Sequence, residues 1–336
     1  MTVPTKAVSA VTHFDPLLPP EPDRTDGRRR RVGVEIEYAG LAPSETARLV
    51  RYIFGGTVRA QDEHSFRIEG TLYGAFTVEL DMLAAHPEGP DGDRAEKPGP
   101  LEERLRAAVG DVGSLVMPYE ISCPPVPVDE IAALDALVEG LRRHGAMGTE
   151  GRLFYAFGLH FNPELARPEA DPIIDVMKAY LLLSPWLRED MGIDIARRVA
   201  PFVHRFPEEY AALVVDPAYR PDLEGFARDY VRLNPTRNRE LDLFPLLACL
   251  VPDALDGCGR DPLVKTRPTW HWRLPDSRVG QPDWSIVPDW NRWVQVERLA
   301  SDRWALNELG ALWQDCRRER ALADWPRVVG RWLAPG

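Results

Sequence analysis

Apolar and polar positions alternate most clearly in Val32-Gly33-Val34-Glu35-Ile36-Glu37-Tyr38. Successive strand side chains point to opposite faces, so Val34 and Ile36 share a core-facing side and Glu35 and Glu37 share the other. This predicts a first strand over 31–38. A helical period follows: Leu49, Val50, Ile53 and Phe54 form one face of a helix opening at Pro43-Ser44-Glu45, with Ser44 as its cap and Gly55-Gly56 as its end. Residues 65–68 and 76–82 read as a hairpin around Glu69-Gly70 and Gly74. Residues 86–100, dense in Gly, Pro and charge, read as an exposed loop. A strand over 114–122 closes at Cys123-Pro124-Pro125, and Asp129 caps a helix carrying Ile131, Leu134, Leu137, Val138 and Leu141. Residues 153–161 are apolar and aromatic, as in a central strand.

From Asp171 the pattern turns helical, with Asp171 as cap and Pro172 as the first helical residue. One late strand over 269–274 interrupts it, and the residues beyond about 289 read as helices with many tryptophans. Trp284, Trp290, Trp293, Trp304 and Trp313 are read as core rather than as a partner surface. The first 27 residues are rich in Pro, Asp and Thr without periodicity, and read as a disordered tail. The expected organisation is therefore a tail over 1–27, a main domain over 28–285 and a helical, Trp-rich extension over 286–336 packed on it. Strands with interspersed helices, followed by helices and a returning strand, point to an α+β fold. Its sheet is expected to be mostly antiparallel, with one open polar face and helices on the other.

Composition narrows the function. The 336 residues are 44% hydrophobic and 28% charged, which suits a globular core, and the net charge of −11 disfavours nucleic acid as a partner. The run Arg28-Arg29-Arg30-Arg31 reads as a solvated lead-in to the first strand. The four cysteines are spaced as neither a disulfide framework nor a zinc motif. Without a secretory signal or a long apolar span, the chain is expected in the cytoplasm and not at a membrane. Neither Gly-rich phosphate-loop pattern occurs.

Chemistry-bearing residues recur on the strands: Glu35 and Glu37, Glu79 and Asp81, Glu120, His160 and Asn162, His271 and Arg273. The i, i+2 spacing puts each pair on one strand face. Like charges side by side repel, so a divalent cation is an apt counterion, and Mg²⁺ takes oxygen ligands while bridging to phosphates. The bland alternative is the solvated face of an antiparallel sheet, where alternating polar residues are ordinary, and it applies most strongly to Glu79 and Asp81.

Taken in order, four segments resemble the amidoligase family, carboxylate-amine ligases with a glutamine-synthetase-like and glutamate-cysteine-ligase-like catalytic fold. Gly33-Val34-Glu35-Ile36-Glu37 is similar to the family's opening G-x-E-x-E strand, and Gly158-Leu159-His160-Phe161-Asn162 to its G-x-H-x-[HN] strand. Asp62-Glu63-His64-Ser65 stands where the family has a shorter Asp-x-Ser turn, and Glu120-Ile121-Ser122-Cys123-Pro124-Pro125 resembles its E-[LIV]-[SV]-S-P element with Cys123 as a departure. Thr236-Arg237-Asn238-Arg239 and Trp270-His271-Trp272-Arg273 stand where phosphate-facing arginines are placed, with His271 at a usually acidic position.

The resemblance implies ATP-dependent formation of an amide or peptide bond through an acyl phosphate, with ATP and Mg²⁺ as cofactors. Glu35, Glu37, Glu120 and His160 are the implied metal ligands, with Glu79 in reserve. His160, Asn162, Arg239 and His271 are implied on the nucleotide. Arg237 and Arg273 are implied as catalytic on the transferring phosphate, and Asp62 as catalytic on the amine. The partners would be a small-molecule or peptide carboxylate and an amine or ammonia donor, with a glutaminase-type protein as one ammonia source. Two other readings stand beside it: a metal-dependent amide or phosphoester hydrolase, which the seven histidines supply thinly, and a catalytically impaired nucleotide-binding homologue.

Overall fold

The computed structural model describes residues 14–81, 118–149, 157–193, 203–255 and 265–333. Six strands form one antiparallel sheet: β1 (Arg31–Tyr38), β2 (Thr57–Ala60), β3 (Phe66–Glu69), β4 (Phe76–Leu80), β5 (Tyr119–Pro127) and β6 (Leu159–Pro163), in the order β2-β3-β4-β5-β1-β6. Val32, Val34 and Ile36 of β1 are fully buried, with Ile68, Val78, Ile121, Leu159 and Phe161 of its neighbours. The predicted strand 114–122 begins at Tyr119 among the described residues and continues through the prolines to Pro127. β4 pairs only with Tyr119 to Ser122, so beyond that point the prolines need no donor toward β4. The predicted loop 86–100 and residues 153–156 of the predicted strand 153–161 lie outside the described residues, and the described end of that strand enters β6.

Helix α1 (Pro43–Phe54) packs on β3 and β4, and against α2 (Asp135–Arg143). Its cap is Ala42 rather than Ser44, because Pro43 is already helical and its ring sets φ for the first turn. The helix expected from Asp129 is divided into a 3₁₀ turn, Ile131–Leu134, and α2. Helix α3 (Ala170–Asp190) starts after Glu169, ahead of the expected cap at Asp171. It is apolar nearly all round, with Ile173, Ile174, Met177, Tyr180, Leu181, Leu182 and Leu183 buried, as a helix enclosed by others must be. The shorter helices α4 (Glu208–Val214), α5 (Leu223–Leu233) and α6 (Phe244–Leu250) follow. Helices α7 (Val287–Ser301), α8 (Arg303–Arg318) and α9 (Trp325–Leu333) then pack on α3.

Trp290 and Trp293 of α7 are fully buried against the sheet side, with Trp293 5.9 Å from Trp270 and 5.6 Å from Trp272, ring to ring. Trp313 is buried as expected, but Trp304 stands 73% exposed. The tail expectation does not hold for residues 14–27. Leu17 N–H donates to Asn291 Oδ1 at 2.7 Å, and Trp290 Nε1 donates to the Leu17 carbonyl at 2.9 Å. An extended Pro-rich chain has unpaired backbone groups, and α7 supplies partners for them. The basic run is not uniformly solvated either. Arg30 is 1% exposed and forms a bidentate pair with Glu297 of α7, at 2.7 and 2.8 Å. Among the described residues, no helix is long and apolar enough to cross a membrane.

The late strand expected over 269–274 runs along the outer edge of β6 but makes only isolated bridges, Phe161 with Trp272 and Glu164 with Thr269. Trp272 pairs with Phe161 and stacks on it at 5.7 Å, so it faces the apolar side. His271 and Arg273, one residue to either side, therefore face the polar side with His160 and Asn162. The polar face is less open than expected beside this segment: Glu37 and His271 are each 8% exposed, and His160 and Asn162 each 5%.

Candidate active site

Strand register places the predicted carboxylates side by side. Glu37 of β1 lies opposite Glu120 of β5, which lies opposite Glu79 of β4; Glu35 lies between Ser122 and His160. The i, i+2 spacing puts all of them on the polar face, because the alternate positions fill the core. His160 stands between the two β1 carboxylates. Its Nδ1 is 3.0 Å from Glu35 Oε2 and its Nε2 is 3.3 Å from Glu37 Oε1. Ligand atoms of Glu37, Glu120 and His160 lie within 4.8 Å of one another, and so do those of Glu35, His160 and His271. Both triplets are compact enough to surround one ion.

Each group has defined partners. Glu37 Oε2 accepts a hydrogen bond from the Gly158 backbone N–H at 2.6 Å, and Glu120 Oε1 accepts one from the Ser122 hydroxyl at 2.8 Å. Asn162 donates through Nδ2 to Glu35 Oε1 at 3.0 Å. Its Oδ1 accepts from Arg267 Nη2 at 2.7 Å and from His271 Nδ1 at 2.8 Å. Arg267 Nη2 also reaches Glu35 Oε1 at 3.4 Å.

The electrostatics divide the cluster. Burial pushes the Glu120 carboxyl well above the usual range, and the charges of Glu35 and Glu37 push the same way against the Ser122 hydrogen bond. Burial also opposes ionisation of Glu35, but the His160 hydrogen bond, the two imidazoles and the Arg267 guanidinium hold its carboxyl well below the usual range. Burial holds His271 well below the ordinary imidazole range against the pull of Glu35, and Arg267, Arg273 and His160 add to the effect.

A second layer gathers arginines beside this cluster. Asp242 is fully buried, and burial raises its carboxyl to about 6 against Arg273, the Phe244 N–H, Arg237 and Arg267. Arg273 Nη1 donates to the Arg237 carbonyl at 3.1 Å, and Arg237 Nε is 3.8 Å from Asp242 Oδ2. Three guanidinium groups thus act on one buried carboxylate next to the carboxylate row.

The structure brings together Glu35, Glu37, Glu120, His160, Asn162 and His271, and sets Arg237 and Arg273 beside them. Glu79 aligns with Glu120 but is half-buried and makes no hydrogen bond within the described residues. Arg239 is directed elsewhere: it donates to the Arg205 carbonyl at 2.5 Å and lies over the Phe206 ring. Asp62 occupies an exposed turn between β2 and β3, where its carboxylate accepts from the His64 N–H at 2.7 Å, and among the described residues no hydrogen bond ties it to the cluster. Sequence reasoning missed Arg267 and Asp242. For Arg267 a signal existed: Arg267, Thr269, His271 and Arg273 continue the i, i+2 alternation backward along one extended segment.

No curated protein and no solved structure matches the chain. Residues 28–295, which hold every member of this cluster, match the family described as "Putative amidoligase enzyme". That match covers most of the sequence, and the chain belongs to the amidoligase family.

Proposed function

We propose that this protein is an ATP- and Mg²⁺-dependent carboxylate-amine ligase that forms an amide or peptide bond through an acyl phosphate. The observation that carries the reading is the convergence of Glu37, Glu120 and His160, with ligand atoms within 4.8 Å, in a chain of the amidoligase family. The donor set fits a divalent cation. Two carboxylates and one imidazole meet without a Lys or Arg paired to either carboxylate among the described residues, and Glu120 resists ionisation there. A hard cation with oxygen ligands typically keeps positions for phosphate oxygens. Bound there, Mg²⁺ would neutralise charge on the transferring phosphate.

The protein's own residues then bind and orient. Arg237 and Arg273 present planar donors to phosphate oxygens, and Asn162 and His271 line the same side. A substrate carboxylate oxygen attacks the γ-phosphorus of ATP, the bridging P–O bond breaks, and ADP leaves. The amine nitrogen then attacks the acyl carbon, inorganic phosphate leaves, and a base takes the amine proton. Such steps depend chiefly on positioning and charge stabilisation. Asp62 is the proposed amine-side residue, reached by movement of its exposed turn. The antiparallel sheet with carboxylates on one face supports a glutamine-synthetase-like reading of the fold. The substrates are a small-molecule or peptide carboxylate and an amine, or ammonia from a glutaminase-type partner.

The test is ADP release with ATP, Mg²⁺ and paired panels of acids and amines. Turnover should require both substrates, yield equal ADP and phosphate, and disappear in Glu37→Gln. Metal-dependent turnover without nucleotide would point instead to a hydrolase. ATP binding without ADP formation across the panels would point to an inactive homologue.

A further inference from the structure

Two triplets in the cluster are compact enough for an ion, and both use His160. We propose that only Glu37, Glu120 and His160 hold a divalent cation, and that the Arg267 guanidinium takes the place of a second cation beside Glu35. This rests on the metal dependence proposed above and assigns where the charge sits.

The hydrogen bonds select between the triplets. Glu35 is already supplied with donors on both oxygens: Oε1 takes Asn162 Nδ2 and Arg267 Nη2, and Oε2 faces His160 Nδ1. The Asn162 amide orientation is fixed, because Nδ2 meets a carboxylate while Oδ1 accepts from Arg267. His271 Nδ1, at 2.8 Å from that same Oδ1, must then carry the hydrogen. Arg267 lies 3.4 Å from Glu35 and 3.2 Å from His271 Nδ1. An ion among Glu35, His160 and His271 would stand against this fixed positive charge, whereas one carboxylate and one guanidinium already balance there.

The other triplet is the reverse case. Glu37 and Glu120 face each other across β1 and β5, and no Lys or Arg among the described residues pairs with either. Within the described residues, Glu37 Oε1 meets His160 Nε2 alone, at 3.3 Å, and Glu120 Oε2 makes no hydrogen bond. A neutral imidazole offers one lone pair. With Nδ1–H donated to Glu35, that lone pair is on Nε2 and faces Glu37. Glu35 becomes a positioning residue that sets the His160 tautomer, the role a carboxylate commonly plays behind a metal-binding histidine.

The test counts ions on the full chain without nucleotide, by Mn²⁺ electron paramagnetic resonance and by Mg²⁺ calorimetry. The wild type should bind one ion. Glu37→Gln should weaken binding at least 100-fold, while Glu35→Gln keeps one ion with roughly 10-fold lower affinity. Arg267→Met should bind two ions, and Arg267→Lys, which keeps a cation, should bind one. Two ions on the wild type, or one on Arg267→Met, overturns the role of Arg267 and leaves the ligase reading standing. No ion on the wild type overturns this inference and the metal dependence together. Loss of the ion in Glu35→Gln with retention in Glu37→Gln reverses the assignment and overturns it, which decides the matter even where Arg267→Met fails to fold.

Discussion

Replacing Glu120 by Gln should stabilise the metal-free protein and remove its response to Mg²⁺. Glu120 faces Glu37 directly across two strands, and their ligand oxygens lie within 4.8 Å. At an effective dielectric of about 20, two unit charges at that separation repel by about 3.5 kcal/mol. Glu120 is half-buried, and burial with the charges of Glu35 and Glu37 already opposes its ionisation, so about 1–2 kcal/mol of that repulsion is the expected gain. The amide keeps an oxygen for the Ser122 hydroxyl, so no hydrogen bond is lost. Unfolding entropy of about 2.1 cal/mol/K per residue gives about 0.7 kcal/mol/K for this chain, and the gain becomes a Tm rise of about 1.5–3 °C. The pH dependence follows in sign. The Glu120 carboxyl is raised in the folded state, so below the ordinary carboxylate range it is protonated in both states and costs nothing. As pH rises the unfolded chain ionises first, and stability is lost until the folded group ionises too. The gap between variant and wild type should therefore be near zero at about pH 4 and widest at neutral pH and above. Bound Mg²⁺ at about 100 times its Kd should add about 2.7 kcal/mol to the wild type and little to the variant. Scanning calorimetry in chelator and in Mg²⁺, at three pH values, measures all of this. A variant less stable than wild type in chelator at neutral pH, or one with an undiminished Mg²⁺ shift, would refute the reasoning.

Two further outcomes follow from buried contacts away from the cluster. Glu240 accepts from both Ser184 and Arg188, with all three side chains buried, so Glu240→Gln should cost about 3–5 kcal/mol in urea unfolding by stranding the Arg188 charge. Gly310→Ala should destabilise by about 1–3 kcal/mol, although helix propensity alone favours Ala by about 1 kcal/mol, because a Cβ there would sit 2.5 Å from the Val215 carbonyl oxygen; a more stable Ala variant would show that α8 and Val215 separate freely.

What could be read from the sequence was what periodicity encodes. β1 was legible because Val32, Val34 and Ile36 must all be buried while Glu35 and Glu37 are not apolar. β2 was not, because an edge strand with three exposed residues carries no alternation to read. The α1 cap was misplaced because Ser44 was weighed by side chain alone, whereas Pro43 already fixes the first helical position. Segment 269–274 was recognised as extended but pairs only through isolated bridges, with Pro268 and Pro275 on either side unable to donate to β6. The 14–27 segment was read as disordered from composition, which carries no record of Asn291 and Trp290 waiting some 270 residues later.

The same boundary runs through the candidate site. Residues fixed by strand register lie together on one face, since β pairing turns an i, i+2 spacing into a shared face without further information. Residues assigned by order along the chain fared unevenly: Arg239 and Asp62 occupy the expected segments, yet their side chains meet Phe206 and His64 rather than the carboxylates. Asp242 sits in an irregular stretch where no period predicts direction, while Arg267 continues the alternation of 269–273 but lies before the predicted strand, and the folded edge segment brings it to Glu35. That difference has a chemical consequence. A sheet face alone can gather negative charge, and among the described residues no Lys or Arg pairs with Glu37 or Glu120. The irregular segments bring the arginines, and they bring them to one side only, against Glu35 and Asp242. The cluster thereby acquires an anionic end and a cationic end, and this is the polarity that the proposed transfer between a nucleotide and a carboxylate would require.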